Sequence, residues 1–167
     1  MARQPKQVHI FLFKKDEKGY KYAIFRREDM PFYWQGICGG LEDDETIEEG
    51  ARREIFEEAG IDQHLPLYSL ESISYLPDNI FSDSARLNWG ENIVVVPMYF
   101  FAMPFNGQVK LSEEHTDVKW LSYDDAYKLI YYYDQKIALY ELNEKLLRNI
   151  INVQLICDVE AVKLKRR

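Results

Sequence analysis

The chain has 167 residues, enough for a single domain (1–167) with a sizeable hydrophobic core and too few for several. Its net charge of −7 repels nucleic acid, so an anionic ligand needs a cation or a local basic patch. Without a membrane-length apolar stretch or a signal-peptide pattern in MARQPKQVHIFLF, a cytoplasmic protein with neither membrane nor nucleic-acid partner is expected.

Val8 to Phe13 is an apolar run of β character, and Tyr20 to Arg26 resumes it after the polar turn Lys14–Gly19, so the two predict a hairpin. Arg26 to Pro31 reads as a charged loop, followed by Phe32-Tyr33-Trp34-Gln35 and the Gly39-Gly40 pair. A helix is expected from Thr46, an N-cap with Glu49 completing a capping box, to a C-terminal stop at Gly60. Ile47, Ala51, Ile55 and Ala59 form its apolar stripe, with Phe56 widening it. Leu67 to Leu76 predicts a strand, Pro77 to Gly90 a long polar loop with Trp89, and Asn92 to Ala102 a strand whose Pro97 suggests an edge or a bulge. Ser112 to His115 reads as a loop, Asp117 to Leu121 as a short strand. Ser122 or Asp124 caps a helix through Tyr133, and a second runs from Gln135 to Ile151. The basic tail Lys163–Arg167 is expected to be mobile, and Cys38 and Cys157, which match no metal spacing, to be reduced buried thiols. This order predicts an α+β or mixed α/β sandwich.

The acidic end of the first helix stands out. Glu54, Glu57 and Glu58 are spaced i, i+3 and i, i+4, so they leave the helix on one face, beside the apolar stripe. Like-charge pairs at that spacing cost roughly 0.2–0.5 kcal/mol each, and the helix dipole disfavours negative charge in the last turn. A hard divalent cation reverses both penalties, because carboxylate oxygens are the ligands Mg²⁺ and Mn²⁺ prefer.

Around these glutamates the run from Gly39 through Glu45, Arg53-Glu54, Glu57-Glu58 and Gly60 resembles the Nudix box, matching its fixed positions over residues 39–61. Asp44 stands where many members carry glycine. The resemblance implies an α/β/α sandwich around a mixed β-sheet, and Mg²⁺-dependent (alternatively Mn²⁺-dependent) hydrolysis of a nucleoside diphosphate linked to a further group. It implies that Glu54, Glu57 and Glu58 hold the metal, with a backbone carbonyl near Cys38 or Gly39, while Arg53 anchors the loop through Glu45.

The flanking Arg26–Asp29, Phe32–Gln35, Glu114-His115 and Lys119–Leu121 are most similar to dihydroneopterin triphosphate, or dATP, pyrophosphohydrolases. That likeness nominates a pterin or nucleoside triphosphate as the small-molecule partner. Dinucleoside polyphosphate, ADP-ribose and a non-catalytic nucleotide sensor are the alternatives. Glu114 is the candidate further ligand or general base, with Glu113 its competitor. Arg27, rather than Arg26, is the candidate phosphate binder, because a guanidinium is a fork of donors. Trp34, Tyr99 or Trp89 is expected to stack on a ring, and Gln35 to contact substrate. His115 is expected to be a plain loop residue and Trp120 part of the core. Monomer and homodimer both remain open.

Overall fold

The computed structural model describes residues 3–61, 64–151 and 156–157; the basic tail lies outside them. The chain forms β1 (Arg3–Asp16), β2 (Gly19–Arg27), β3 (Trp34–Gln35), β4 (Ile37–Glu42), α1 (Ile47–Ala59), β5 (Leu67–Pro77), α2 (Asp83–Trp89), β6 (Val95–Pro104), β7 (His115–Leu121), α3 (Tyr123–Leu129), α4 (Tyr133–Leu147) and β8 (Ile156–Cys157). The strands make one mixed sheet in the order β3-β2-β1-β6-β5-β8, with β4 paired to β1 and β7 to β2.

β1 organises the sheet. One edge pairs in parallel with β6 over Gln7–Phe13, and the other is shared by β4 along Arg3–Ile10 and β2 along Leu12–Asp16. Both of its faces are covered, which is why Val8–Phe13 is buried throughout and, but for His9, apolar rather than alternating. Val8, Ile10 and Leu12 join Ala51, Ile55 and Ala59 of α1 in one core. Phe11 and Phe13 join Ala126, Ile130, Ala138, Leu139 and Leu142 in the other, under α3 and α4. The result is the expected α+β sandwich, with helices on both faces of a mixed sheet.

Several local expectations are corrected. Pro77–Gly90 is not a plain loop: a 3₁₀ turn, Asp78–Ile80, leads into α2, which Ser82 caps by accepting from the Ala85 N–H. Pro97 lies in β6, an interior strand, but pairing with β1 starts only at Met98, so at Pro97 the strand has β5 alone beside it. Phe56 is 55 % exposed, since it lies about 100° around the helix from Ile55, on the flank away from the glutamates. α3 stops at Leu129 and α4 begins at Tyr133, because Tyr131 and Tyr132 leave the helical path and pack their rings on Tyr33. α4 ends at Leu147, followed by Asn149 at φ +53°.

The Glu141 carboxylate helps to pin α4 to the sheet. Glu141 accepts from the backbone N–H groups of Glu71 and Ser72 at 2.6 and 2.7 Å and from the Ser72 hydroxyl at 2.6 Å, beside Lys145 at 2.7 Å. These bonds satisfy β5 where its register with β6 shifts between Ser69 and Ile73. Burial pushes the Glu141 pKa up, but the donors outweigh it and leave it below its ordinary value. A depressed folded pKa stabilises above the unfolded value and is lost as pH falls through the folded one. Glu141→Gln is therefore expected to cost about 2 kcal/mol at neutral pH, with the difference from wild type shrinking below about pH 4. Denaturant melts at pH 7 and pH 3 check this, and equal stability of the two proteins at pH 7 contradicts it.

Candidate active site

α1 is built as its sequence predicts. The Thr46 hydroxyl accepts from the Glu49 N–H while the Glu49 carboxylate accepts from the Thr46 N–H, and Gly60 closes the helix at φ +67°. Asp44 takes φ +64°, so the turn before the helix keeps a left-handed residue although glycine is absent.

Arg53 is the hub of the acidic face. Its Nε and Nη2 donate to the two Glu45 oxygens at 2.6 and 3.0 Å, and Nη2 also donates to the Gly40 carbonyl at 2.8 Å. Its Nη1 reaches Glu54 at 2.9 Å and Glu57 at 3.1 Å. Glu45 also accepts from the Glu42 N–H at 2.8 Å, so one guanidinium ties the turn, the strand β4 and the helix together. Its partners hold Glu45 below the usual carboxylate range, chiefly through the Arg53 bond.

Glu54 and Glu58 are buried, whereas Glu57 is exposed. A Cβ built on Gly39 would meet the Glu54 carboxylate at 2.1–2.4 Å, so only glycine lets that carboxylate lie against β4. Burial pushes the Glu54 pKa up to about 7; Arg53 opposes the shift, and Glu57 and Glu58 add to it. The Glu58 Oε2 accepts from the Ser112 hydroxyl at 2.6 Å and lies 2.9 Å from His115 Nδ1, an ion-pair distance that does not meet hydrogen-bond geometry. Burial raises its pKa, but these neighbours more than offset that, leaving it below its ordinary value. Ser112 Oγ also accepts from the Glu114 N–H at 3.3 Å, fixing the loop that carries Glu114 beside the helix. Burial and repulsion from Glu58 raise the Glu114 pKa.

A cavity of about 670 Å³ adjoins this cluster. Arg27, Glu28, Asp29 and Gln35 line it from the segment after β2, and Leu76, Pro77, Ile80 and Phe81 from the segment after β5. Gln7, Cys38 and Met98 contribute from the sheet, Glu114 and His115 from the start of β7, and Tyr132, Asp134 and Gln135 from the start of α4. Cys38 joins cavity and cluster: burial, with the Glu54 charge behind it, pushes its thiol up to about 12. Glu114 lines the cavity and Glu113 does not. Arg27 lines it, its guanidinium held by Asp29 at 2.5 and 2.9 Å, whereas Arg26 Nε turns to the Pro31 carbonyl.

The three aromatic candidates lie elsewhere. Trp34 packs into the core under the Lys119 ammonium, Tyr99 packs against the other core, and the Trp89 N–H donates to the Arg3 carbonyl. Phe81 and Tyr132 are the aromatic rings on the cavity wall. His115 is no loop residue: it opens β7, is 6 % exposed and packs on Phe25. The sequence assigns Ser112, Gln7, Asp134 and Gln135 no role in the site, and no spacing marks them. Trp120 packs partly buried against the α1 core.

A divalent cation fits the donors present. Among the described residues no three Cys, His, Asp or Glu side chains already enclose a point, since Arg53 holds Glu54 and Glu57. Yet the cluster is all hard oxygen, its members repel one another, and Glu54 is packed so closely on Gly39 that its charge is disfavoured. No helix of the described residues is long and apolar enough to cross a membrane.

The NUDIX domain model matches residues 3–142. The chain is 31 % identical over 112 residues to the nucleoside triphosphatase NudI of Escherichia coli, covering 65 % of this chain and 72 % of that protein. A Nudix hydrolase structure from Listeria monocytogenes superposes with a TM-score of 0.80 at 38 % identity, over 90 % of this chain and 99 % of that one. The dihydroneopterin triphosphate pyrophosphohydrolase of E. coli shares the fold, with a TM-score of 0.70 at 21 % identity over 87 % of this chain and 99 % of that one. Box, sheet, helices and these likenesses agree, and the chain belongs to the NUDIX domain family as a hydrolase of phosphorus-containing anhydrides.

Proposed function

We propose that this protein is a divalent-cation-dependent pyrophosphohydrolase of a nucleoside or pterin triphosphate, releasing pyrophosphate and the monophosphate. One observation carries the reading: a row of carboxylates, with Glu54 seated where a Gly39 side chain would be, opens beside a cavity of ring-binding size that Arg27 and Glu114 also line.

Glu54, Glu57 and Glu58 would hold Mg²⁺ or Mn²⁺, with Glu114 as a further ligand or the general base. The cation, when bound, would neutralise phosphate charge and bring the pKa of water down toward neutrality. The chain's own residues do the rest. Arg53 orients Glu45 and Glu54 and keeps the turn closed on β4. Ser112 and His115 fix the rotamer of Glu58, and Ser112 fixes the backbone at Glu114. A raised pKa suits Glu114 to taking a proton, since a general base works best near the operating pH. Arg27 presents donors to phosphate oxygens at the cavity wall, with Asp29 holding the guanidinium in plane.

The test is purified protein with Mg²⁺ against nucleoside and pterin triphosphates, a dinucleoside polyphosphate and ADP-ribose, reading pyrophosphate and monophosphate separately. The expected result is pyrophosphate from a triphosphate at a kcat on the order of 1–10 s⁻¹. Faster cleavage of ADP-ribose or the dinucleoside polyphosphate overturns the substrate class. Tight binding without turnover in Mg²⁺ or Mn²⁺ makes the protein a sensor instead.

A further inference from the structure

The start of α4 carries an unused recognition group. Gln135 is only 4 % exposed, lines the cavity, and its Oε1 has no hydrogen-bond partner. Buried amide oxygens are nearly always bonded, so an orphan on a cavity wall marks a place for a donor from outside the protein. Its neighbour Asp134 lines the same wall. That carboxylate accepts from the Gln135 N–H at 2.9 Å and from the Ser74 hydroxyl, which leaves lone pairs free on both oxygens. Two adjacent acceptors therefore face the cavity. Gln7 and Gln35, 9 % and 8 % exposed, bring amides that can donate, and the rings of Phe81 and Tyr132 offer apolar faces.

We propose that Asp134 and Gln135 select a substrate ring with a 2-amino-4-oxopyrimidine edge, the edge that guanine and pterins share. Its ring N–H and 2-amino group are adjacent donors and match the adjacent acceptors, and its carbonyl takes a donor amide. Adenine offers one donor next to a ring acceptor, and uracil one N–H between two carbonyls, so each would leave a carboxylate or amide oxygen facing a lone pair. The inference rests on the triphosphate reading above and sharpens it to a ring class. It places specificity determinants in the first turn of α4.

The test separates binding from hydrolysis. Calorimetric titrations without divalent cation use guanosine, inosine and adenosine monophosphates and neopterin monophosphate. Inosine lacks only the 2-amino group. Wild type is expected to bind the guanosine or the neopterin compound about tenfold or more tighter than the inosine and adenosine compounds. The stronger of those two identifies the source of the ring. Gln135→Leu should abolish the preference, and Gln135→Glu, which keeps an acceptor and controls for folding, should retain it. Equal binding of guanosine and inosine monophosphates by wild type, or a preference that survives in Gln135→Leu, overturns the proposal. Preference without hydrolysis of any triphosphate instead overturns the hydrolase reading and leaves this one standing.

Discussion

Glu58→Gln is expected to lower kcat at least about 100-fold while leaving the fold intact. Changing a group that merely orients a metal ligand already costs about 10–100-fold, and Glu58 is proposed as a ligand itself. The carboxylate is 3 % exposed, accepts from the Ser112 hydroxyl at 2.6 Å and lies 2.9 Å from His115 Nδ1. Its pKa is held below the ordinary value, so it is ionised at neutral pH. Glutamine keeps the volume and can still accept from Ser112, so packing is preserved and only the charge is lost. Steady-state kinetics in Mg²⁺, a Mn²⁺ titration followed by electron spin resonance, and a thermal melt read the three consequences separately. Turnover at the wild-type rate would show that Glu58 does not serve the reaction, whatever the helix resembles.

Arg53→Met should cost about 3 kcal/mol and lower the melting temperature by about 10 °C. Removing one partner of a part-buried ion pair leaves the other charge poorly compensated: here the buried Glu54 and the half-buried Glu45 are left, while the exposed Glu57 is screened by water. The Gly40 carbonyl loses its donor as well. Activity should fall too, since Glu54 loses the group that steadies its oxygen. Arg53→Lys is expected to fall between the two, because an ammonium keeps the charge but cannot fork across Glu45 and Gly40. A Met variant that melts within about 1 °C of wild type would mean that these contacts are screened in solution and do not hold the turn.

The helix and the shared face of its glutamates were legible because helical geometry is local. Once Thr46 and Gly60 mark the ends, the spacing of Glu54, Glu57 and Glu58 fixes their common face without knowledge of the rest of the molecule. Asp44 shows the same locality: the turn needed φ > 0, and the substituted residue adopts it. α2 was legible in principle, since Ser82 and Gly90 bracket it, but a seven-residue helix with no buried side chain shows no hydrophobic periodicity. His115 was misread because nothing local distinguishes a loop histidine from one buried by Phe25, a residue ninety positions earlier.

From sequence alone came the sandwich, the box and the cation-seeking charge cluster, set by short-range spacing or by apolar runs that must be buried, and the resemblance to the box added the Arg53–Glu45 tie. Only the tertiary structure decided which residues line the cavity together. Gln7, Arg27, Met98, Glu114 and Gln135 meet at one cavity because β1 sits between β6 and the strands β2 and β4, and because Tyr131 and Tyr132 break the path between α3 and α4. Such neighbours are far apart along the chain and carry no mutual periodicity, so their meeting is a property of the packed sheet and not of any segment.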